Sequence, residues 1–208
     1  MLVRNKDRLM HGMINRAVER FVRDTYGRDV WMGVTQSLAL DYIEFEPMLV
    51  YETGLTDQML DIVARTLDKD LPDLLEDIGT YLVSHKKTEA IRRLLRFGGV
   101  DFHEFLHSLD DLPERVRLAV PDLHLPAMEL REHRTNHFTL AVKSGGLRMS
   151  GFGHVVMGLL RAMADDYGAL VLLDHKGNRD RTEILEVHLA DASFAEGRAF
   201  DLSQRINA

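Results

Sequence analysis

Phe102-His103-Glu104-Phe105-Leu106-His107-Ser108-Leu109-Asp110-Asp111-Leu112-Pro113-Glu114-Arg115-Val116 is the most informative run in the chain. It predicts a helix that is capped by Asp101 and runs into Pro113. Proline carries neither an imidazole nor a backbone N–H, so a helix rarely passes through it. His103 and His107 form an i, i+4 pair, the spacing that puts two imidazoles on one helical face and lets them act as two ligands of a zinc site. No second group of His or carboxylates lies at an obvious partner spacing in the sequence, and a half-exposed helix face is the plainer reading of the pair.

N-terminal to this run the pattern is helical. Met10, Met13, Ile14, Ala17, Val18, Phe21 and Val22 give one buried face over 10–24, ended at Tyr26-Gly27, where glycine accepts the left-handed C-cap cheaply. A second helix spans 28–40 with Trp31 on its apolar side, and 45–51 is a short loop around Pro47. Thr56 reads as an N-cap, Pro72 sits in the first turn of a helix over 73–85, and Thr88 opens 89–97, stopped by Gly98-Gly99. C-terminal to Pro121 the period changes. Strands are predicted over 128–132 and 138–143 around Arg134-Thr135-Asn136, then an amphipathic helix over 152–167, then a hairpin of 169–173 and 183–189 around His175-Lys176-Gly177-Asn178. Helices first, then strands with one inserted helix, predict an α+β fold. The expected organisation is an extension over 1–9, one domain over 10–190 and a loose polar tail over 191–208.

With 208 residues, 45% of them hydrophobic, the chain can bury a sizeable core. A net charge of -7 argues against a nucleic-acid surface, which calls for a basic excess or stripe. Lys86-Lys87 and Arg92-Arg93 read as solvated helix faces. The absence of cysteine removes disulfides and thiolate metal sites and fits a reducing cytoplasm. The charged N-terminus shows no apolar signal region, and no stretch approaches the roughly 20 apolar residues of a membrane span. No nucleophile is evident: Ser84-His85 and Ser150 with His154 have no third orienting group, and there is no G-x-S-x-G elbow. Asp110-Asp111 reads as a helix end and Asp165-Asp166 as a solvated face. No catalysis is assigned.

The run from 102 to 112 resembles the proximal helix of the haem-NO/O2-binding (H-NOX) family, which reads roughly "DF-x-EFL-x-NLD-x-LH". Six further pieces follow the family's order. They are Met10-His11-Gly12-Met13-Ile14-Asn15-Arg16-Ala17, Tyr26-Gly27 with Trp31, Gly79 with Tyr81, Phe97-Gly98, Val120-Pro121 with Pro126, and Gly151-Phe152 with Gly158-Leu159-Leu160. The resemblance covers about 10–189 and implies an H-NOX-like fold, helical first and then an antiparallel sheet with inserted helices. It also implies a sensing role. In the family the last His of the run ligates the haem iron, and Pro113 stands at that position. A Tyr-x-Ser-x-Arg motif clamps the haem propionates, as hydroxyls and a bidentate cation suit carboxylates. The matching positions hold Gly145, Leu147 and Met149. A shifted register that returns Ser144 as the serine leaves Val142 and Gly146 for the other two.

Ligand and clamp are thus both missing, and the chain is expected to hold no haem in the family's manner. Haem would remain the cofactor only with a substitute ligand. His107 lies six residues before Pro113 on the same helix and so faces about 120° away from it. His11 lies in the helix that bears the distal wall, where Ile14 matches a pocket residue. His154 belongs near the pocket rim, and Met149 would have to point inward. His133, His137, His175 and His188 are read as surface residues. Met128, Leu147, Met149 and Phe152 are expected to take up part of the volume that haem occupies in relatives. The composition points to the cytoplasm, and the absence of an evident nucleophile argues against an enzyme; the resemblance implies a regulatory module. Its partner would be a signalling protein, such as a cyclic-nucleotide or c-di-GMP enzyme or a histidine kinase, with no nucleic acid and no membrane. The alternative is a haem-based NO/O2 sensor using a substitute axial ligand.

Overall fold

A computed structural model describes residues 9–144 and 151–199. The chain begins with a short strand, β1 (Leu9–His11), paired antiparallel to β2 (Val50–Glu52). Helix α1 (Gly12–Thr25) therefore starts two residues later than the apolar spacing predicts. The reason is local. The His11 imidazole accepts the Met13 N–H through Nδ1 at 3.2 Å, and the Gly12 N–H is taken by Leu49 O at 2.7 Å. A Cβ at Gly12 would lie 2.1 Å from Glu46 O, so only glycine lets the 46–49 loop close on the helix start. Helix α2 (Arg28–Ser37) buries Trp31. Helix α3 (Thr53–Leu67) begins before Thr56, which is not its cap. Thr56 is fully buried and its hydroxyl donates to Asn15 Oδ1 at 2.7 Å, so it joins two helices rather than starting one.

Helix α4 (Leu71–Ser84) carries Pro72 in its first turn, and α5 (Glu89–Arg96) follows Thr88, as predicted. Helix α6 (Phe102–His107) is capped by Asp101, whose carboxylate accepts the Glu104 N–H at 2.8 Å. It does not run into Pro113. It ends at His107, and a separate helix, α7 (Leu112–Ala119), opens with Pro113 in its first turn. Proline lacks the N–H a helix interior needs, but a first turn does not need it, so the residue begins a new helix. The angle between His107 and Pro113 counted along one helix therefore does not apply. Asp110, in the turn between them, accepts the Leu130 N–H at 2.7 Å and ties that turn to the sheet.

The sheet is antiparallel, in the order β3 (Ala127–Arg134), β4 (His137–Lys143), β6 (Thr182–Asp191), β5 (Leu170–Arg179). The last hairpin turns at Asp180 and Arg181, both with left-handed φ (52° and 62°), and not at 175–178. Residues 175–178 instead form an irregularity inside β5. Helix α8 (Phe152–Tyr167) matches its predicted span.

Two apolar cores result. One gathers Phe21, Trp31, Phe45, Leu74, Ile78 and Tyr81 among the N-terminal helices. The other gathers Phe102, Phe105, Leu109, Phe138, Leu160 and Leu185 between α6, α8 and the sheet. Helix α8 serves both, giving Val155 to the first and Val156, Leu160 and Met163 to the second. The seam is the α4–α8 crossing, where Gly79 and Gly158 remove two side chains. A Cβ at Gly79 would lie 2.0 Å from Val155 O, and one at Gly158 1.9 Å from Glu76 O.

Two expectations of solvated charge fail here. Arg92 and Asp166 are both buried, and Arg92 Nε donates to Asp166 Oδ1 at 2.8 Å. Nor is the start of the tail loose. Ala195 N–H donates to Gly168 O at 3.0 Å, Arg198 N–H to Asp166 O at 2.8 Å, and the Arg92 guanidinium to Ala199 O at 3.2 Å.

Candidate functional site

Pro113, half-buried, lines a cleft of about 200 Å3 between α7 and the start of β3, shared with Asp110, Arg117, Leu123 and Met128. That is below the roughly 300–1,000 Å3 of an ordinary ligand pocket. Met128 is buried beside it and belongs to the second core, and Phe152 packs on the same core half-buried. Neither the ring of Pro113 nor its nitrogen offers a lone pair to a metal. The donor set at this position does not fit a haem iron. Gly145, Leu147 and Met149 lie outside the described residues.

The other residues singled out from sequence are dispersed. Ile14 sits half-buried on α1. His11 is buried at the N-terminus of that helix, and its Nδ1 lone pair is taken by the Met13 N–H, which leaves Nε2 bearing the proton in the neutral ring. His107 closes α6 with its side chain 47% exposed, and its Nε2 lies 3.5 Å from Glu132 Oε2 on β3. So the structure brings Pro113 and Met128 together, and turns His107 toward the outer strand of the sheet.

One cluster had no signal in the sequence. His154, at the start of α8, stacks on His175 of β5 with ring centroids 4.2 Å apart. His154 Nδ1 faces Glu76 Oε1 at 3.2 Å, and His175 Nε2 faces Glu183 Oε2 at 3.0 Å. His175 is therefore not a surface residue: its side chain is 17% exposed and its carboxylate partner 2%. Its Nδ1 accepts the Gly177 N–H at 3.2 Å, so in the neutral ring Nε2 carries the proton given to Glu183. Glu183 Oε1 in turn accepts the Gly151 N–H at 3.1 Å, which fixes the residue just before α8. Burial pushes the Glu76 carboxyl up, but bonds from Arg161 and His154 outweigh it and hold it below the usual carboxylate range. The four residues come from α4, α8, β5 and β6, so no local spacing announces them. The arrangement supports the entry to α8 with hydrogen-bonded charge; it holds no nucleophile.

A family model described as "Haem-NO-binding" matches residues 11–175. Among curated proteins, the chain is 24% identical over 157 residues to "Soluble guanylate cyclase gcy-31" of Caenorhabditis elegans, covering 76% of this chain and 22% of that protein. It is 22% identical over 143 residues to "Soluble guanylate cyclase 89Da" of Drosophila melanogaster, covering 69% and 21%. The chain thus spans about a fifth of the length of these relatives. Among solved structures, the unliganded Fe(II) H-NOX protein from K. algicida superposes with a TM-score of 0.73 at 19% identity, over 92% of this chain and 100% of that one. The H-NOX protein from S. oneidensis in the Fe(II)NO state superposes at 0.70 and 18%, over 88% and 100%.

Proposed function

The chain belongs to the haem-NO-binding family of sensor domains, and from that premise we propose that it is a signalling module that regulates a partner protein without haem held in the family's way. The observation that carries this reading is Pro113: where the family's run ends on the axial histidine, this chain opens α7 with a residue that cannot ligate. Gly145, Leu147 and Met149 at the clamp positions support it, since none offers a side-chain hydrogen bond to a propionate. The partner class is a signalling enzyme, a cyclic-nucleotide or c-di-GMP enzyme or a histidine kinase. The relatives named as guanylate cyclases favour the first. The chain itself assigns no catalysis. Among the described residues no helix is long and apolar enough to cross a membrane.

The two substitute ligands singled out from the sequence, His11 and His107, are already engaged. His11 would give up its capping bond, and His107 would turn away from Glu132. Protein produced with added haem precursor is therefore expected to show no stoichiometric Soret band. A stoichiometric band that shifts with NO overturns the proposal, and alanine variants of His107 and His11 then identify the ligand. Pro113→His alone is expected to leave tight haem binding unrestored. Its imidazole would still lack a propionate clamp, since Gly145, Leu147 and Met149 stand at those positions. Normal five-coordinate haem in that variant would show that the space and its supports had persisted.

A further inference from the structure

We propose that His103, His107 and Glu132 form a divalent-cation site of the zinc class that clips α6 to the outer strand of the sheet. The two histidines lie one turn apart on the exposed side of α6. The strand β3 supplies the third group, which the sequence did not reveal. His103 Nε2 stands 3.8 Å from Glu132 Oε1, and His107 Nε2 stands 3.5 Å from Glu132 Oε2. The three ligating atoms all lie within 4.8 Å of one another. Both nitrogens are too far from the carboxylate for a good hydrogen bond, so the carboxylate faces two imidazoles without closing on either. Ligands about 2.0–2.2 Å from a tetrahedral zinc sit roughly 3.3 Å apart, so a small inward movement brings all three to bonding distance.

The surroundings hold these side chains in place. Both rings stand edge-on to Phe138, at 5.5 and 5.8 Å, and Phe138 is fully buried. Phe138 is also the cross-strand partner of Glu132, and the register of β3 shifts immediately after Glu132. Bulges of this kind re-aim a side chain beside a site. The side chains are 40%, 47% and 33% exposed, which gives an ion a path in and leaves water to fill the remaining coordination. Imidazole nitrogen with one carboxylate is a zinc-class donor set, and three protein ligands leave an open position.

The test uses the full chain without a histidine tag, titrated with zinc chloride against a chromophoric chelator. We expect one ion per chain. His107→Ala and Glu132→Gln should each weaken it at least tenfold, as ligand loss does, while His154→Ala in the other histidine cluster leaves it unchanged. Zinc at a hundredfold excess over its Kd should also raise the melting temperature by about 5–10 °C in the wild type. At the same zinc concentration that rise should fall to about half or less in Glu132→Gln, whose shape is conserved and whose fold can be checked by circular dichroism. Zinc binding that survives both His107→Ala and Glu132→Gln overturns the proposal. So does loss only with His154→Ala, which would assign the ion to the other cluster, or no binding at all.

Discussion

Asp166→Ala is expected to destabilise the protein by about 3–5 kcal/mol, the usual cost of removing one partner of a buried ion pair. Arg92 and Asp166 have side chains 5% and 3% exposed, joined at 2.8 Å. With the carboxylate gone, the guanidinium stays in the protein interior without its buried anionic partner, Glu89 and the Ala199 carbonyl being among the groups it still meets. The loss should appear as a fall in melting temperature of roughly 10 °C or more for a domain of this size. High salt should barely reduce that fall, because a buried pair is poorly screened. The same change should loosen residues 195–199, whose hydrogen bonds end on this pair and on the helix end beside it. Increased proteolysis confined to that segment would report it. A melting point within 2 °C of wild type would mean that the pair is solvated and the argument wrong.

Gly158→Ala should cost about 3 kcal/mol, from steric overlap rather than charge. The new methyl would sit 1.9 Å from Glu76 O and 2.9 Å from Thr80 N, both backbone atoms that no rotamer change can move aside. Helices α4 and α8 would have to separate along the seam between the two cores, which also strains the Thr80 hydroxyl bond to Gly158 O at 3.3 Å. Gly33→Ala is the control: no atom lies within 4 Å of the added methyl there, and alanine is the better helix former. It should be neutral or slightly stabilising. Equal melting points for the two variants would show that the helices are not in close contact at Gly158.

Much of the architecture was legible without coordinates. The span of α8, the β3–β4 hairpin and the place of Pro72 followed from periodicity and from what proline permits. Three departures share one cause: a residue with a strong local preference meets a distant partner that outweighs it. Thr56 is a good N-cap by type, but Asn15 takes its hydroxyl. Met10 continues the apolar face of a helix, but β2 takes its backbone into a sheet. Arg92 and Asp166 look like solvated charge, but each supplies the group that lets the other be buried.

For the functional region the division is similar. That no ligand can arise at Pro113 is a property of proline, and the sequence alone determines it. The sequence also determines that His103 and His107 share a helical face, because i, i+4 spacing is a local fact of helix geometry. That Pro113 begins a new helix rather than ending an old one was decided by the turn at Ser108–Asp111, which Asp110 anchors to Leu130 twenty residues away. Only the tertiary structure brings Glu132 to the histidine pair and sets His154 on His175. Those meetings depend on how separate elements pack and on strand register, and residue spacing along the chain carries no record of either.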